Sequence, residues 1–253
     1  MEKKCPEITD ALGNREFCVW YQPQVDMQTG EIAGAEALVR WNRPGRGMIL
    51  PGEFIPELER HGLMPLLDQE VLRIVCEDMR EAKRAGISFG PVSVNLSRLY
   101  AEHYRTVCGE KREELRFEFT ETDRSRDGDR ELREFADMLR EKGFRIAMDD
   151  YGMGSSTLKM LHQIPFDILK LDRYFVSRIG EEKGETILRS TIAMARELGM
   201  EIVAEGVERR AQVRFLLEHG CRLAQGYYYS EPLGKEAYLS FRKQGKRLPE
   251  AEP

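Results

Sequence analysis

Phe144-Arg145-Ile146-Ala147-Met148-Asp149-Asp150-Tyr151-Gly152-Met153-Gly154 joins a short apolar strand to two adjacent aspartates and a glycine loop. Vicinal carboxylates on a rigid strand beside a flexible turn suit a hard cation such as Mg²⁺, Mn²⁺ or Ca²⁺. A plain turn or cap pair before Gly152 is the competing reading. What precedes the strand decides the fold. Leu132, Phe135, Ala136 and Leu139 make an apolar helical stripe, and Gly143 ends it. Glycine is the residue expected where a helix closes in a left-handed turn.

That helix–glycine–strand unit recurs along the chain. Leu67, Val71, Ile74, Val75, Met79 and Ala82 form a stripe closed by Gly86, before Pro91 to Asn95. Ile187, Thr191, Ala195 and Leu198 precede Gly199 and the strand Glu201 to Ala204; Val213, Leu216 and Leu217 precede Gly220 and Cys221 to Ala224. Alternation of strand and helix implies parallel strands with helical crossovers. Over a chain of 253 residues, it predicts an α/β fold of the TIM (β/α)8 type rather than an open doubly wound sheet. The opening departs from the unit. Phe17 to Asp26 and Glu31 to Trp41 are strand-like around Met27-Gln28-Thr29-Gly30, a hairpin spacing that sets the first strand antiparallel to the second. No linker interrupts the pattern, so residues 1–253 read as a single barrel domain, about 8–245 in the core with a frayed tail at 246–253.

Apolar segments also end on Glu36, Asn95, Glu118, Lys170 and Glu205. In such a barrel, active sites are built from the strand ends of the C-terminal face. Five carboxylates and one neutral oxygen ligand gathered there would repel one another, and two divalent ions would offset that repulsion, an arrangement suited to phosphoester hydrolysis. Asn95 has a competing role as the cap of a helix near Ser97. Lys170 could snorkel at a rim or pair with Asp172, and surface salt bridges would account for Glu121 and Glu208.

Composition narrows the classes. A 41% hydrophobic, 33% charged chain with net charge −5 has material for a core and no basic block, which argues against an extended nucleic-acid surface. No apolar run approaches a membrane span, and Met1 to Glu7 is not a signal peptide. Five cysteines without a CxxC pair read as reduced thiols, giving a cytoplasmic expectation and no zinc site.

In order, the motifs resemble those of the EAL family of cyclic di-GMP phosphodiesterases over nearly the whole chain. Tyr21-Gln22-Pro23-Gln24-Val25 is similar to its opening strand, and Glu36-Ala37-Leu38-Val39-Arg40-Trp41 to its naming motif. Phe54-Ile55-Pro56, Val94-Asn95-Leu96-Ser97, Glu118-Phe119-Thr120-Glu121 and Asp149-Asp150-Tyr151-Gly152 follow. Leu169-Lys170-Leu171-Asp172, Ala204-Glu205-Gly206-Val207-Glu208 and Ala224-Gln225-Gly226-Tyr227 complete the series.

The resemblance implies a modified barrel with an antiparallel first strand that opens cyclic di-GMP to linear pGpG in bacterial signalling. It implies two Mg²⁺ or Mn²⁺ ions, with Ca²⁺ inhibitory, held by Glu36, Asn95, Glu118, Asp149, Asp150 and Glu205. It implies Lys170 as the general base, with Glu36 and Glu205 part of the catalytic set, and a lysine that loses its proton readily among cations. Arg40 would meet a phosphate, Gln22 and Asp172 the guanines, and Gln225 the substrate side of the ligand cage. Glu208 and Gln225 would support the ligands, and Glu121 would anchor the loop after Asp150. A homodimer, and fusion to or regulation by GGDEF or sensor domains, are further implications.

The chain departs from the family in one loop. Where relatives read Asp-Asp-Phe-Gly-Thr-Gly-Tyr-Ser-Ser, Met153 and Ser155 replace a hydroxyl residue and an aromatic. That loop favours a second reading, a cyclic di-GMP receptor or protein-interaction domain with weak or no turnover. A different two-metal or enolase-like barrel enzyme acting on a phosphorylated small molecule is the third.

Overall fold

The computed structural model describes residues 6–97, 114–120, 128–152 and 157–244. Glu121, the loop residues 153–156 and the tail 246–253 lie outside the described residues. Helix α1 (Pro6–Gly13) leads into the hairpin β1 (Phe17–Asp26) and β2 (Ile32–Arg43), with β3 (Gly47–Ile49) folded back on β2. Then come α2 (Pro51–Arg60), α3 (Met64–Arg84), β4 (Val92–Asn95), β5 (Leu115–Thr120), α4 (Gly128–Glu141), β6 (Arg145–Tyr151), α5 (Thr157–Gln163) and β7 (Ile168–Leu171). The chain ends with α6 (Arg173–Ser177), α7 (Glu182–Glu197), β8 (Glu201–Ala204), α8 (Arg210–Glu218), β9 (Leu223–Ala224), β10 (Leu233–Gly234) and α9 (Lys235–Lys243).

Strands β2, β4, β5, β6, β7, β8 and β9 pair in that order, all parallel. β1 closes the ring, antiparallel to β2 along its length and to β9 at Val25 and Asp26. The eight-stranded barrel with a reversed first strand is therefore observed. β10 takes the remaining edge of β1 at Trp20 and Tyr21.

Strand alternation divides the side chains into two cores. Outward-facing residues such as Phe117, Phe119, Ile146 and Leu169 pack under the helices in the large cluster. Inside the barrel a small apolar floor holds Ala147, Ile168, Val203 and Leu223. Each floor residue lies two positions before a polar one: Asp149, Lys170, Glu205 and Gln225. Period-two alternation thus puts the polar layer directly above the floor.

Two sequence expectations are corrected. Helix α7 buries Leu188, Thr191, Ile192 and Ala195, leaving Ile187 and Leu198 exposed, so its stripe is rotated by about one residue. Glu36 lies inside β2 and not at its end, because β2 runs on past the barrel to pair with β3. Beyond these, Tyr227 of the last motif is 64% exposed, while Tyr228 and Tyr229 pack on the core.

One glycine joins the last strands. Gly226 has φ +155°, and a Cβ there would fall 2.2 Å from Val207 O and 2.3 Å from Val207 N. The same close approach lets Val207 N donate to Gln225 O and Tyr228 N to Val207 O. Gly226→Ala should lower unfolding stability by at least about 2 kcal/mol, read from urea midpoints at constant m-value.

Candidate active site

Lys170, on β7, is 1% exposed and sits among four carboxylates. Its Nζ lies 2.5 Å from Glu118 Oε2, 2.8 Å from Glu205 Oε1, 2.9 Å from Asp149 Oδ1 and 3.3 Å from Glu36 Oε2. These residues come from β2, β5, β6 and the end of β8, so only barrel closure brings them together. Asn95, at the end of β4, donates its amide to Glu36 Oε1 at 3.0 Å. Gln225 donates one NH₂ to Glu36 Oε2 at 2.6 Å and Glu205 Oε1 at 3.0 Å.

Asp150 would face the wrong side of a regular strand. It has φ +53°, and the β6–β7 register shifts between Met148 and Tyr151. A left-handed residue, which Asp tolerates better than most, breaks the alternation. Both vicinal carboxylates then serve one site.

Two overlapping ligand groups result: Glu36, Glu118 and Asp149, and Asp149, Asp150 and Glu205, with donor oxygens in each group within 4.8 Å of one another. The donors are carboxylate oxygens, with the Asn95 amide alongside, which suits a hard divalent cation and not zinc or copper. Glu118 Oε1 is buried with no hydrogen-bond partner among the described residues. The arrangement fits a metal.

The electrostatics carry the same message. Burial, then Glu36 and Asp149, push the Glu118 carboxyl up to about 8 despite Lys170. Burial and neighbouring Asp149 and Asp172 raise Asp150 to about 6. Glu205 is held well above the usual carboxylate range, chiefly by burial. Burial would also raise Glu36, but Lys170, Gln225 and Asn95 outweigh it and hold Glu36 low. For Lys170, burial favours the neutral amine, yet the surrounding carboxylates outweigh it and hold the ammonium well above its ordinary value. Without cations, the proton loss that the family resemblance implies for Lys170 is reversed.

The remaining sequence candidates lie around this cluster. Gln22 stands opposite Glu36 in the antiparallel pair, so both project from the same face. Arg40 is half-buried, donates to Val39 O at 2.8 Å and lies 5.9 Å from the centre of the Trp20 ring. Asp172 caps α6 by accepting from Tyr174 N at 2.8 Å. Asp150, Asp172, Arg173, Tyr174 and Glu208 line an open pocket of about 700 Å³ beside the cluster. Glu208 is exposed there, and among the described residues its carboxylate makes no hydrogen bond to a candidate ligand, whereas the Gln225 NH₂ bonds to both Glu36 and Glu205.

Sequence reasoning missed two supports. Asp68, buried on α3, accepts from Ser97 N at 2.9 Å and Ser97 Oγ at 2.5 Å, holding the segment just after Asn95. A charge inside the stripe of Leu67, Val71, Leu72 and Val75 was the available signal. Gln24, two positions from Gln22 on the same strand face, is the other.

The EAL domain family model matches residues 6–232. This chain belongs to the EAL family. Among its relatives is the bifunctional diguanylate cyclase/cyclic di-GMP phosphodiesterase MucR of Pseudomonas aeruginosa, 34% identical over 92% of this EAL chain and 36% of MucR. The probable cyclic di-GMP phosphodiesterase PdeB of Escherichia coli is 34% identical over 94% of this chain and 46% of its own. The EAL chain spans about a third of the length of the first curated relatives it matches. A solved MucR phosphodiesterase in complex with cyclic di-GMP superposes with a TM-score of 0.82, at 34% identity, covering 92% of this chain and 98% of that one. The EAL domain of Mycobacterium smegmatis DcpA gives 0.75 at 29% identity, over 90% and 96% of the two chains. No described helix of this EAL domain is long and apolar enough to cross a membrane.

Two outcomes are expected at the cluster. A cation needs ionised ligands, and the raised Glu118 and Asp150 carboxyls carry protons below about 8 and 6 when no cation is bound. Mn²⁺ affinity should therefore rise between pH 6 and pH 8, with proton release measurable by calorimetry in buffers of different ionisation enthalpy. Removing the ammonium that contacts four of these carboxylates, as in Lys170→Met, should destabilise the metal-free protein by about 3–5 kcal/mol. Added Mn²⁺ should restore part of that loss, read as a larger thermal shift than in the parent.

Proposed function

We propose that this domain hydrolyses cyclic di-GMP to linear pGpG in bacterial second-messenger signalling, using two divalent cations, Mg²⁺ or Mn²⁺. The observation that carries the reading is the pair of ligand groups sharing Asp149 around a buried lysine. The likeness to the MucR domain bound to cyclic di-GMP supports the choice of substrate.

In the proposed site Glu36, Asn95, Glu118, Asp149, Asp150 and Glu205 hold the cations. Bound there, divalent ions would polarise the phosphodiester and make water acidic enough to deprotonate near neutral pH. Once carboxylate charge is neutralised, the burial of Lys170 is no longer opposed, and its Nζ can accept the proton of the attacking water. The water oxygen bonds to phosphorus, the P–O3′ bond breaks, and the 3′ oxygen leaves with a proton, giving a 5′-phosphate on the linear product. Arg40 offers planar N–H donors to a phosphate. Gln22 and Asp172 would contact the guanines, Asp172 keeping one carboxylate oxygen for its helix cap. Gln225 supports the ligands from beside, Glu208 would act from the adjoining pocket wall without touching a ligand, and Glu121 takes the anchoring role the family gives it. A homodimer acting in the cytoplasm, with regulatory or sensor domains supplied in the same or another chain, completes the reading.

The receptor alternative rests on Met153 and Ser155 in the loop after Asp150. The complete ligand set and the retained Lys170 favour turnover.

Chromatography of cyclic di-GMP incubated with Mg²⁺, Mn²⁺ or EDTA tests the proposal. Metal-dependent pGpG is expected, with Lys170→Ala and Glu36→Ala each at least about a hundred-fold slower. Intact substrate after long incubation, alongside tight binding, would establish the receptor instead.

A further inference from the structure

Gln24 lies in the opening motif of the sequence, has no assigned role, and is 1% exposed. Strand β1 runs antiparallel to β2, with Gln22 opposite Glu36 and Gln24 opposite Gly34. Gln24 therefore sits one layer below the carboxylates, on the same inward face. From there its Nε2 donates to Gln225 Oε1 at 3.2 Å. The Gln225 amide in turn gives its NH₂ to Glu36 and Glu205.

We infer that Gln24 is a positioning residue for the cation site, fixing the Gln225 amide so that one NH₂ group ties a carboxylate of the first ligand group to one of the second. The inference rests on the metal reading of the preceding subsection.

Chemistry leaves the amide a single useful orientation. With cations bound, both carboxylates are ionised and only accept hydrogen bonds, so the Gln225 NH₂ must face Glu36 and Glu205. Its carbonyl then points into a buried layer and needs a donor. Gln24 supplies that donor. Ligand carboxylates oriented by a hydrogen bond on the oxygen that does not take the metal are a general feature of metal sites, and losing such support weakens binding. Here the supported pair matters more than usual. Glu36 and Glu205 belong to different ligand groups, which otherwise share only Asp149. The Gln225 amide thus sets the spacing between the two groups, and Gln24 sets the amide.

Folding stability alone is a poor reason for Gln24 to be there. Its Oε1 is buried with no hydrogen-bond partner among the described residues. A buried polar atom left unsatisfied works against the fold, and an apolar side chain of similar shape would avoid it. Packing holds the side chain in place: a Cβ on Gly34 would lie 3.3 Å from Gln24 Oε1 and 2.8 Å from Pro91 O. Glycine at position 34 keeps the space that Gln24 occupies.

The test compares Gln24→Met, Gln225→Met and the double variant with the parent. Free Mn²⁺ is followed by electron paramagnetic resonance in protein stripped with EDTA, and melting is recorded without metal. Gln24→Met should bind Mn²⁺ about ten-fold more weakly and melt close to the parent temperature, because loss of the unpaired Gln24 Oε1 offsets the Gln225 carbonyl left without its donor. It should lower kcat while KM for cyclic di-GMP stays within about two-fold, because the Gln225 NH₂ is taken up by Glu36 and Glu205. The double variant should bind Mn²⁺ no more weakly than Gln225→Met, since Gln24 acts only through that amide. Unchanged Mn²⁺ affinity in Gln24→Met would overturn the inference. So would additive losses in the double variant, or a loss of affinity matched by a lower metal-free melting temperature. A parent that binds no Mn²⁺ would sink the metal reading, and this inference with it; a parent that binds Mn²⁺ but leaves cyclic di-GMP intact would sink only the proposed reaction.

Discussion

Among the described residues, five carboxylates share the upper layer of the barrel with one ammonium, and that imbalance governs the rest of the site. Lys170 contacts four of them, and the layer still carries more negative charge than one lysine can offset. The protein meets the excess with protons and amides. Glu118 and Asp150 hold their protons to unusually high pH, while Asn95 and Gln225 donate to Glu36 and keep it ionised. Such a layer costs stability in the absence of metal and is worth keeping only for what it can bind.

The barrel makes this concentration of charge tolerable. Below the charged layer, Ala147, Ile168, Val203 and Leu223 close the interior with small and branched apolar side chains. The large core lies outside the strands, under the helices, so the fold does not depend on the charged layer for most of its hydrophobic burial. Local backbone departures then aim particular groups. The left-handed Asp150 turns a second carboxylate inward, and Gly226 lets the last two barrel strands close around Gln225. The reversed first strand brings glutamines to two successive layers of the same face. Each departure serves the cluster more directly than it serves the fold.

The architecture was legible because its signals are local. Gly86, Gly143, Gly199 and Gly220 each take positive φ where a helical stripe ends, as their positions in the sequence require. The hairpin around Met27 to Gly30 and the polar residues following apolar strands were likewise readable from neighbours in the chain. Where the reading slipped, a non-local force was responsible. The stripe of α7 is ambiguous between faces until the barrel selects Leu188 and Ile192. The extension of β2 past Glu36 depends on pairing with β3, which no pattern within β2 announces.

The sequence by itself determined the class of fold, the direction of the first strand, the family and the set of candidate ligand residues, because periodicity, turn chemistry and motif order are written residue by residue. Tertiary structure decided which of those residues share a layer, which way each amide faces and how far each carboxyl is displaced from its ordinary titration. Those properties depend on distances across a closed ring of strands, between positions as far apart as Gln24 and Gln225, and a linear pattern carries no such distance until burial and hydrogen bonding impose it.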